Sequence, residues 1–513
     1  MAFRRLLERI ARRQTLRLWA IALVLLVLGA TLPLLRPLRH PDASAVSDDE
    51  RVRLATIEAI ATRGSLAPDP ADVEGCANLI AAAQEDGSTL LLGAQEPMLA
   101  VLGAGVYQLL RLAGIRPGVD EVLGAYLLTA TLSALPAALT TLLLYRLARL
   151  LELGRGRRTL LALLCVTGGG LLPYATVLSP QPMAALLITA AVSCVVHAAL
   201  TVPVRRRDPR RDETSAGAAL SLSLTSAGFL AGTAAAVMPM TAAMSFVLPL
   251  ALLAMPWRRH QRLLGIVLYV LGMLGPLAAH KLLLTPYGDV WTVPVPTATA
   301  LPPAAPTSPD DVPGAAAVPA TAPDDLVGGP ATADAAGERP TPAVWLLERL
   351  TRVLLGPFGV VSHAPVTLLG IAGVGLLMMR YWPGATRALA VATLAGAALP
   401  LLWWAWGPPR GGERMWGPQP LVALLPLVVL WTGVWLRPGR LPRLSATSRT
   451  LFWTVVLVSV AVGLLGMTRP YPRGGYETYG PWAVVSTWVR ERLPPLPGRL
   501  APSTQPAPPA SPP

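Results

Sequence analysis

Apolar residues in this chain come in blocks of roughly 18 to 25, long enough as helices to cross the hydrocarbon of a bilayer. Lipid offers the backbone no hydrogen bonds, so each such block is expected to be a helix. The first runs from about Leu16 to Leu35 behind the basic stretch MAFRRLLERIARRQTLR. It is too long for a signal-peptide core and no small-residue cleavage site follows closely, so it is expected to stay as a span. Arginines gather between the later blocks: Arg146 to Arg158, Arg205–Arg211, Trp257–His260, Arg380 to Arg387 and Arg437 to Arg449. With all five clusters on the cytoplasmic side, the chain alternates through about eleven spans, N-terminus cytoplasmic and C-terminus outside. Glu96–Ile115 is apolar enough to cross, but counting it would put the Arg146–Arg158 cluster outside. It is therefore read as a helix in the outer interface, ahead of a second span near Val122–Leu144.

The expected fold is all-α: a polytopic membrane bundle of about 11 transmembrane helices, with interfacial helices in the first outer loop. Residues 1–284 form an N-terminal transmembrane module that includes the outer loop 36–96, which holds eleven of the 29 acidic residues. Residues 285–344 are rich in Pro, Ala, Thr and Asp without apolar periodicity, and are expected to be a disordered outer insertion. Residues 345–468 supply the C-terminal transmembrane helices. Residues 469–513 form an outer tail, with an amphipathic stretch near Gly480–Leu500 before a Pro-rich end.

Composition agrees. With 53% hydrophobic and 14% charged residues, the chain lacks the charge to solvate a soluble domain of this size. The net charge of +14 sits in short loops and not on one basic face, which excludes a nucleic-acid partner. Cys165 and Cys194 lie in apolar blocks and Cys76 stands alone, so no disulfide framework is implied. The histidines His40, His197, His260, His280 and His363 lack metal-ligand spacing.

Three places carry chemistry. Asp48, Asp49 and Glu50 open SDDERVRLATIEAIATRGSL, whose apolar spacing predicts a helix. The carboxylates serve either as favourable charges at a helix N-terminus or as a general base facing a lipid-borne substrate, with a divalent cation at Asp48 and Asp49. The loop Trp406–Pro420 sets Arg410, Glu413 and Arg414 among glycines and tryptophans. It reads as an interfacial aromatic belt or as a guanidinium pair for a phosphate headgroup. Lys281, beside His280, either snorkels to the headgroups or gives a second cation for a lipid phosphate.

Taken in order, these pieces resemble the GT-C superfamily of membrane glycosyltransferases, the group that includes protein mannosyltransferase-like and aminoarabinose-transferase-like enzymes. The resemblance rests on SDDERVRLATIEAIATRGSL as an acidic first-loop motif and on EPMLAVLGAGVYQLL as a proline-containing interfacial segment. LLYRLARLLELGRGRRTLLALL (Leu143–Leu164) and PYATVLSPQPMAALL from Pro173 are similar to a hairpin and the outer turn that follows it. RGGERMWGPQPLVALLPLVVL (Arg410–Leu430) is similar to a Gly-Gly…Trp-Gly-Pro motif. The resemblance implies transfer of a sugar from a polyprenyl-phosphate donor in a bacterial inner membrane to an acceptor on its outer face. Asp49 would be the base, assisted by Asp48 or Glu50, and Arg410, Arg414 and Lys281 would hold the donor phosphate. The partners would be a lipid-linked sugar donor and membrane lipid. The chain departs from the pattern at Gln419-Pro420, where relatives often carry Arg-Tyr, and at Gln181, where they often carry His; VMPMTA (Val237–Ala242) lacks an arginine beside its proline. Two other classes stay open: a non-catalytic protein that binds or scaffolds lipid-linked glycans, and a transporter, for which internal repeats or mid-membrane charges would speak.

Overall fold

The computed structural model describes residues 18–35, 47–76, 79–83, 89–93, 96–115, 117, 121–205, 213–255, 257–285, 287, 342–406, 415–437, 445–471 and 481. Six helices are long and apolar enough to cross a membrane: α4 (Val122–Leu151), α6 (Pro180–Arg205), α7 (Glu213–Val237), α9 (Arg259–Leu284), α12 (Gly384–Trp406) and α14 (Ala446–Thr468). Shorter apolar helices are α1 (Leu18–Leu34), α3 (Met98–Leu112), α8 (Pro239–Ala254) and α13 (Leu425–Val434). α5 (Arg155–Thr167) ends at Gly168 and is followed by one helical turn, Leu172–Ala175. α10 (Pro342–Leu355) leads through a further turn into α11 (Val366–Met379), and the two halves of this pair meet at 89°. Six to seven helices thus meet the length for a span, against the eleven expected. Broken or short apolar helices occupy the remaining places of the eleven-segment path. The chain is a polytopic helical membrane protein.

The chain is all-α as expected, apart from one short hairpin. The first loop holds a β-hairpin, β1 (Leu79–Ala83) with β2 (Thr89–Gly93), antiparallel and paired from Leu79 opposite Gly93 to Ala83 opposite Thr89. The loop also holds α2 (Asp48–Arg63), which ends at Gly64 in the left-handed region at φ 67°. α3 has 15 residues, roughly 22 Å at 1.5 Å per residue and short of the hydrocarbon thickness. It packs on α2: Gly103 lets Ile57 approach where a Cβ would clash, and Tyr107 Oη donates to Glu58 at 3.3 Å.

Lipid exposure and close helix approach account for much of the bundle. α4 is the most buried of the six spans, with 61% of its most apolar stretch inside, and α9 is the least at 28%. Leu263, Leu264, Val267, Leu271 and Leu274 on α9 are each more than half exposed, a stripe that lipid solvates and water would not. The inner side of α9 meets α7 backbone to backbone, since a Cβ on Gly228 or Gly272 would overlap the carbonyls of Tyr269 or Thr225. Two buried hydroxyls of α4 turn back on their own helix: Thr140 donates to the Pro136 carbonyl at 2.8 Å and Thr141 to Ala137 at 2.9 Å, so neither is left unpaired in the bundle.

The two ends of the bundle differ in charge. At one end Arg437 bonds Glu152 and stacks its guanidinium over Trp382 at 4.5 Å, Arg157 donates to the Leu436 carbonyl, and Gly384 lies beside Ala254. These contacts join three of the five arginine clusters, and a fourth, Trp257–His260, begins three residues after Ala254; the fifth, Arg205–Arg211, falls almost wholly outside the described residues. The opposite end carries α2, the hairpin and α3. Charge segregation of this kind predicts the orientation. Cys76 is expected to react with a membrane-impermeant maleimide added to intact cells. In a Cys76→Ser background, a cysteine replacing the fully exposed Tyr381 at the arginine-rich end should stay unlabelled until the cells are opened. Labelling of Tyr381→Cys from outside would reverse the assignment.

Candidate functional site

The acidic triplet forms the first turn of α2. Ser47 is the N-cap: its Oγ accepts the Glu50 amide at 3.2 Å and lies 3.4 Å from Glu50 Oε2. The cap is thus Ser47, and Asp48 and Asp49 are half-buried residues following it, where the helix dipole favours negative charge. Glu50 points inward. It is 3% exposed, and its Oε1 accepts the Leu178 amide at 2.8 Å. One turn on, Arg53 donates to the Leu178 carbonyl. Both polar groups of one residue, 128 positions away, are therefore gripped by side chains at i and i+3 of α2. Burial pushes the Arg53 pKa down, while Asp49 first, then Tyr471 and Glu50, push it back up. A guanidinium stays cationic under such a balance.

The gripped turn is held from every other side. Ser179 donates its amide to Ser133 Oγ at 3.2 Å and its hydroxyl to the Tyr174 carbonyl at 2.9 Å. Tyr174 Oη donates to the Trp416 carbonyl at 2.7 Å, and the Trp416 amide donates to the Pro470 carbonyl at 2.9 Å. Ser47 closes the circle by donating to Tyr471 Oη at 2.8 Å. Trp416 is 2% exposed and packs edge-on against His363 at 5.6 Å. The next residue, Gly417, has φ 81° and lies against the His363 ring, a backbone state and a spacing that a side chain would spoil. Four distant stretches, 47–53, 172–181, 415–419 and 470–471, thus meet at the end opposite the arginine clusters. Gln181 is 2% exposed there, and its Oε1 has no hydrogen-bond partner among the described residues.

Beside this hub lies a small cleft between α2 and the start of α3. Arg53 and Thr56 form one side, Glu96, Pro97 and Ala100 the other, with Gly93 at the hairpin end. Glu96 is tied to α9 by His280, whose Nε2 lies 3.3 Å from Oε2. The cleft therefore presents one cation and one carboxylate.

The residues expected from sequence are distributed unevenly over this geometry. Asp48, Asp49 and Glu50 stand together at the hub. Lys281 is exposed on α9 next to His280 and forms no ion pair among the described residues. Arg410 and Arg414 lie outside the described residues, and the described chain resumes at Met415, one residue before the buried Trp416. Of the insertion 285–344, residues 286 and 288–341 also lie outside, as do 472–480 and 482–513 of the tail. Among the described residues no three His, Cys, Asp or Glu side chains gather as metal ligands do, so the divalent cation considered for Asp48 and Asp49 has no third protein ligand there. Sequence reasoning passed over Arg53, Glu96 and the His280–Glu96 pair. Arg53 was open to it, because a basic residue at i+3 and i+4 from two carboxylates on a helix faces them.

No protein-family model and no curated protein matches the chain. Two solved structures are similar to it in overall trace. One is the crystal structure of ArnT from Cupriavidus metallidurans bound to undecaprenyl phosphate, with 13% identity, TM-score 0.45, and 94% of this chain and 81% of that one covered. The other is the Archaeoglobus fulgidus oligosaccharyltransferase in the apo form, with 14% identity, TM-score 0.39, and 93% of this chain covered but only 58% of that one.

Proposed function

We propose that this chain is a glycosyltransferase that moves a sugar from a polyprenyl-phosphate donor to an acceptor hydroxyl at the outer face of the membrane. The observation that carries the reading is the grip of Glu50 and Arg53 on Leu178. It fixes the acidic first turn of α2 to the bundle end, beside a cleft that offers a guanidinium. A lipid carrier presents its headgroup at such a level. In the reaction the acceptor oxygen attacks the anomeric carbon of the donor sugar, and the bond from that carbon to the phosphate oxygen breaks. The electron pair leaves with polyprenyl phosphate, and the acceptor proton passes to the Asp49 carboxylate. Arg53 sits where it balances the charge gathering on the leaving phosphate, and Arg410, Arg414 and Lys281 are the further cations assigned to it. Asp48 assists Asp49 as a second negative charge on the same turn.

The test is reconstitution in vesicles of total membrane lipid, as a source of acceptor hydroxyls, with a panel of polyprenyl-phosphate sugars, reading the release of free polyprenyl phosphate and the glycosylated acceptor by mass spectrometry. Sugar-dependent release is the expected result. Binding of the donors without release would replace transfer by the scaffold reading, and neither binding nor release would remove both.

A further inference from the structure

At the arginine-rich end, the turn between α4 and α5 gathers positive charge that no group of the chain offsets. The first turn of α5 reads RGRR, with no acidic residue and no side-chain cap at Gly154. A helix N-terminus is the positive end of the backbone dipole, so arginines there oppose it. Arg157 finds an outlet by donating to the Leu436 carbonyl at 3.0 Å. Arg158 finds none. It is 8% exposed, and its guanidinium lies 4.9 Å from the centre of the Tyr145 ring. Arg158 Nε and Tyr145 Oη are both sealed from solvent without a hydrogen-bond partner. The charges that act most on Arg158 are Arg149 and Arg155, and both repel it. None of these three arginines forms an ion pair or a side-chain hydrogen bond among the described residues. Glu152, the carboxylate of the same turn, is taken by Arg437.

Burying a guanidinium without a counter-charge is costly, and an anion from outside the chain would remove the cost. The turn is shaped to admit one. Of the three guanidinium nitrogens of Arg158 only Nε is sealed, so the two terminal nitrogens stay within reach. The first amides of α5 have no partner within the helix. A Cβ on Gly154 or Gly156 would meet nothing within 4 Å, so the backbone there lies open. Open amides at a helix start, beside guanidinium forks, are the chemistry that takes phosphate oxygens. Leu160, roughly 3 Å further along the axis than Arg158, is an exposed apolar side chain. Hydrocarbon therefore begins at that level, and the arginines stand where lipid phosphates do. We infer that the turn between α4 and α5 is a binding site for a phosphate oxyanion, supplied by the headgroup of an anionic membrane lipid.

The experiment titrates three probes into delipidated full-length protein in a neutral detergent: phosphatidylglycerol, the diacylglycerol with the same chains, and inorganic phosphate. Native mass spectrometry reads lipid retention, and thermal unfolding reads stabilisation by each probe. Phosphatidylglycerol is expected to bind at least roughly tenfold more tightly than diacylglycerol, the effect of one hydrogen bond to a charged group. The double variant Arg149→Ala, Arg155→Ala alters only exposed side chains and should lose that preference. Arg449→Ala, which removes an exposed arginine of α14 at the same end, should keep it. Arg158→Met removes an unpaired buried cation, so it should hold or gain stability in bare detergent while losing the stabilisation by phosphatidylglycerol. Equal binding of the two lipids, or a preference that survives the double variant, would overturn the site. An Arg158→Met protein that is less stable in bare detergent yet still prefers phosphatidylglycerol would make Arg158 a packing residue and overturn its role. Inorganic phosphate that binds as tightly as phosphatidylglycerol, and is lost in the same double variant, would overturn the lipid as the source of the oxyanion.

Discussion

Asp49→Asn is expected to abolish sugar transfer while donor binding and thermal stability stay close to wild type. Asparagine keeps the volume of the aspartate and serves almost as well near a helix N-terminus. The cap of α2 is in any case Ser47. The substitution therefore removes basicity and one negative charge near Arg53, and little else. Loss of a positioned general base costs about 10²- to 10⁴-fold in turnover, and the effect should appear in kcat more than in KM. Asp48→Asn, one residue earlier on the same turn, is the matched control and should cost much less. Wild-type turnover by purified Asp49→Asn protein would reject the assignment, leaving the triplet as charges that complement the α2 dipole.

Glu50 gives the opposite pattern. Glu50→Ala should lower stability by about 1 to 3 kcal/mol, the range for leaving a buried hydrogen-bonding group without its partner. The Leu178 amide would lose its acceptor, and Arg53 would lose a nearby negative charge while remaining against the Leu178 carbonyl. Glu50→Gln keeps an oxygen where Oε1 accepts the Leu178 amide, so its loss should be a fraction of that. Thermal unfolding in detergent reads both variants. A Glu50→Ala protein with an unchanged melting temperature would show that the grip on Leu178 does not hold the loop to the bundle. A Glu50→Gln protein with normal stability and no turnover would move Glu50 from holding the site to taking part in the reaction.

The reasons why some of this was legible in the sequence are physical. A span is announced by its own composition, because the bilayer dictates length and polarity without reference to the rest of the chain. Hence the second span was expected near Val122–Leu144 and lies at Val122–Leu151. Breaks inside apolar blocks are less visible. Gly168–Gly170 after α5 and the right-angle turn between α10 and α11 leave hydropathy nearly untouched while changing direction. The strands LIAAA and TLLLG carry no clean alternation of apolar and polar residues, so the hairpin gave no signal of period two. At the site, Asp48 to Glu50 stood out by their position after the first span, whereas their division of labour did not. Which carboxylate turns inward depends on Leu178, a tertiary neighbour that no local pattern names.

One turn of α4, Ala130–Ala134, is wound as a π-helix, and Ser133 in that turn is the residue that receives the Ser179 amide. A π turn accommodates one residue more than an α turn over the same rise, so the helix before it is out of phase with the helix after it by about 100°. Two registers thus coexist on a single helix. The half from Leu135 onward is phased by its packing inside the bundle. The half before Ala130 is phased by the loop that the site is built on. Removing one residue between Ala130 and Ala134 would let α4 relax to uniform winding, and one half would then have to rotate away from its neighbours. The extra residue acts as a phase adjuster, so that the end carrying α2 and the part of the same helix deeper in the bundle each meet their own neighbours.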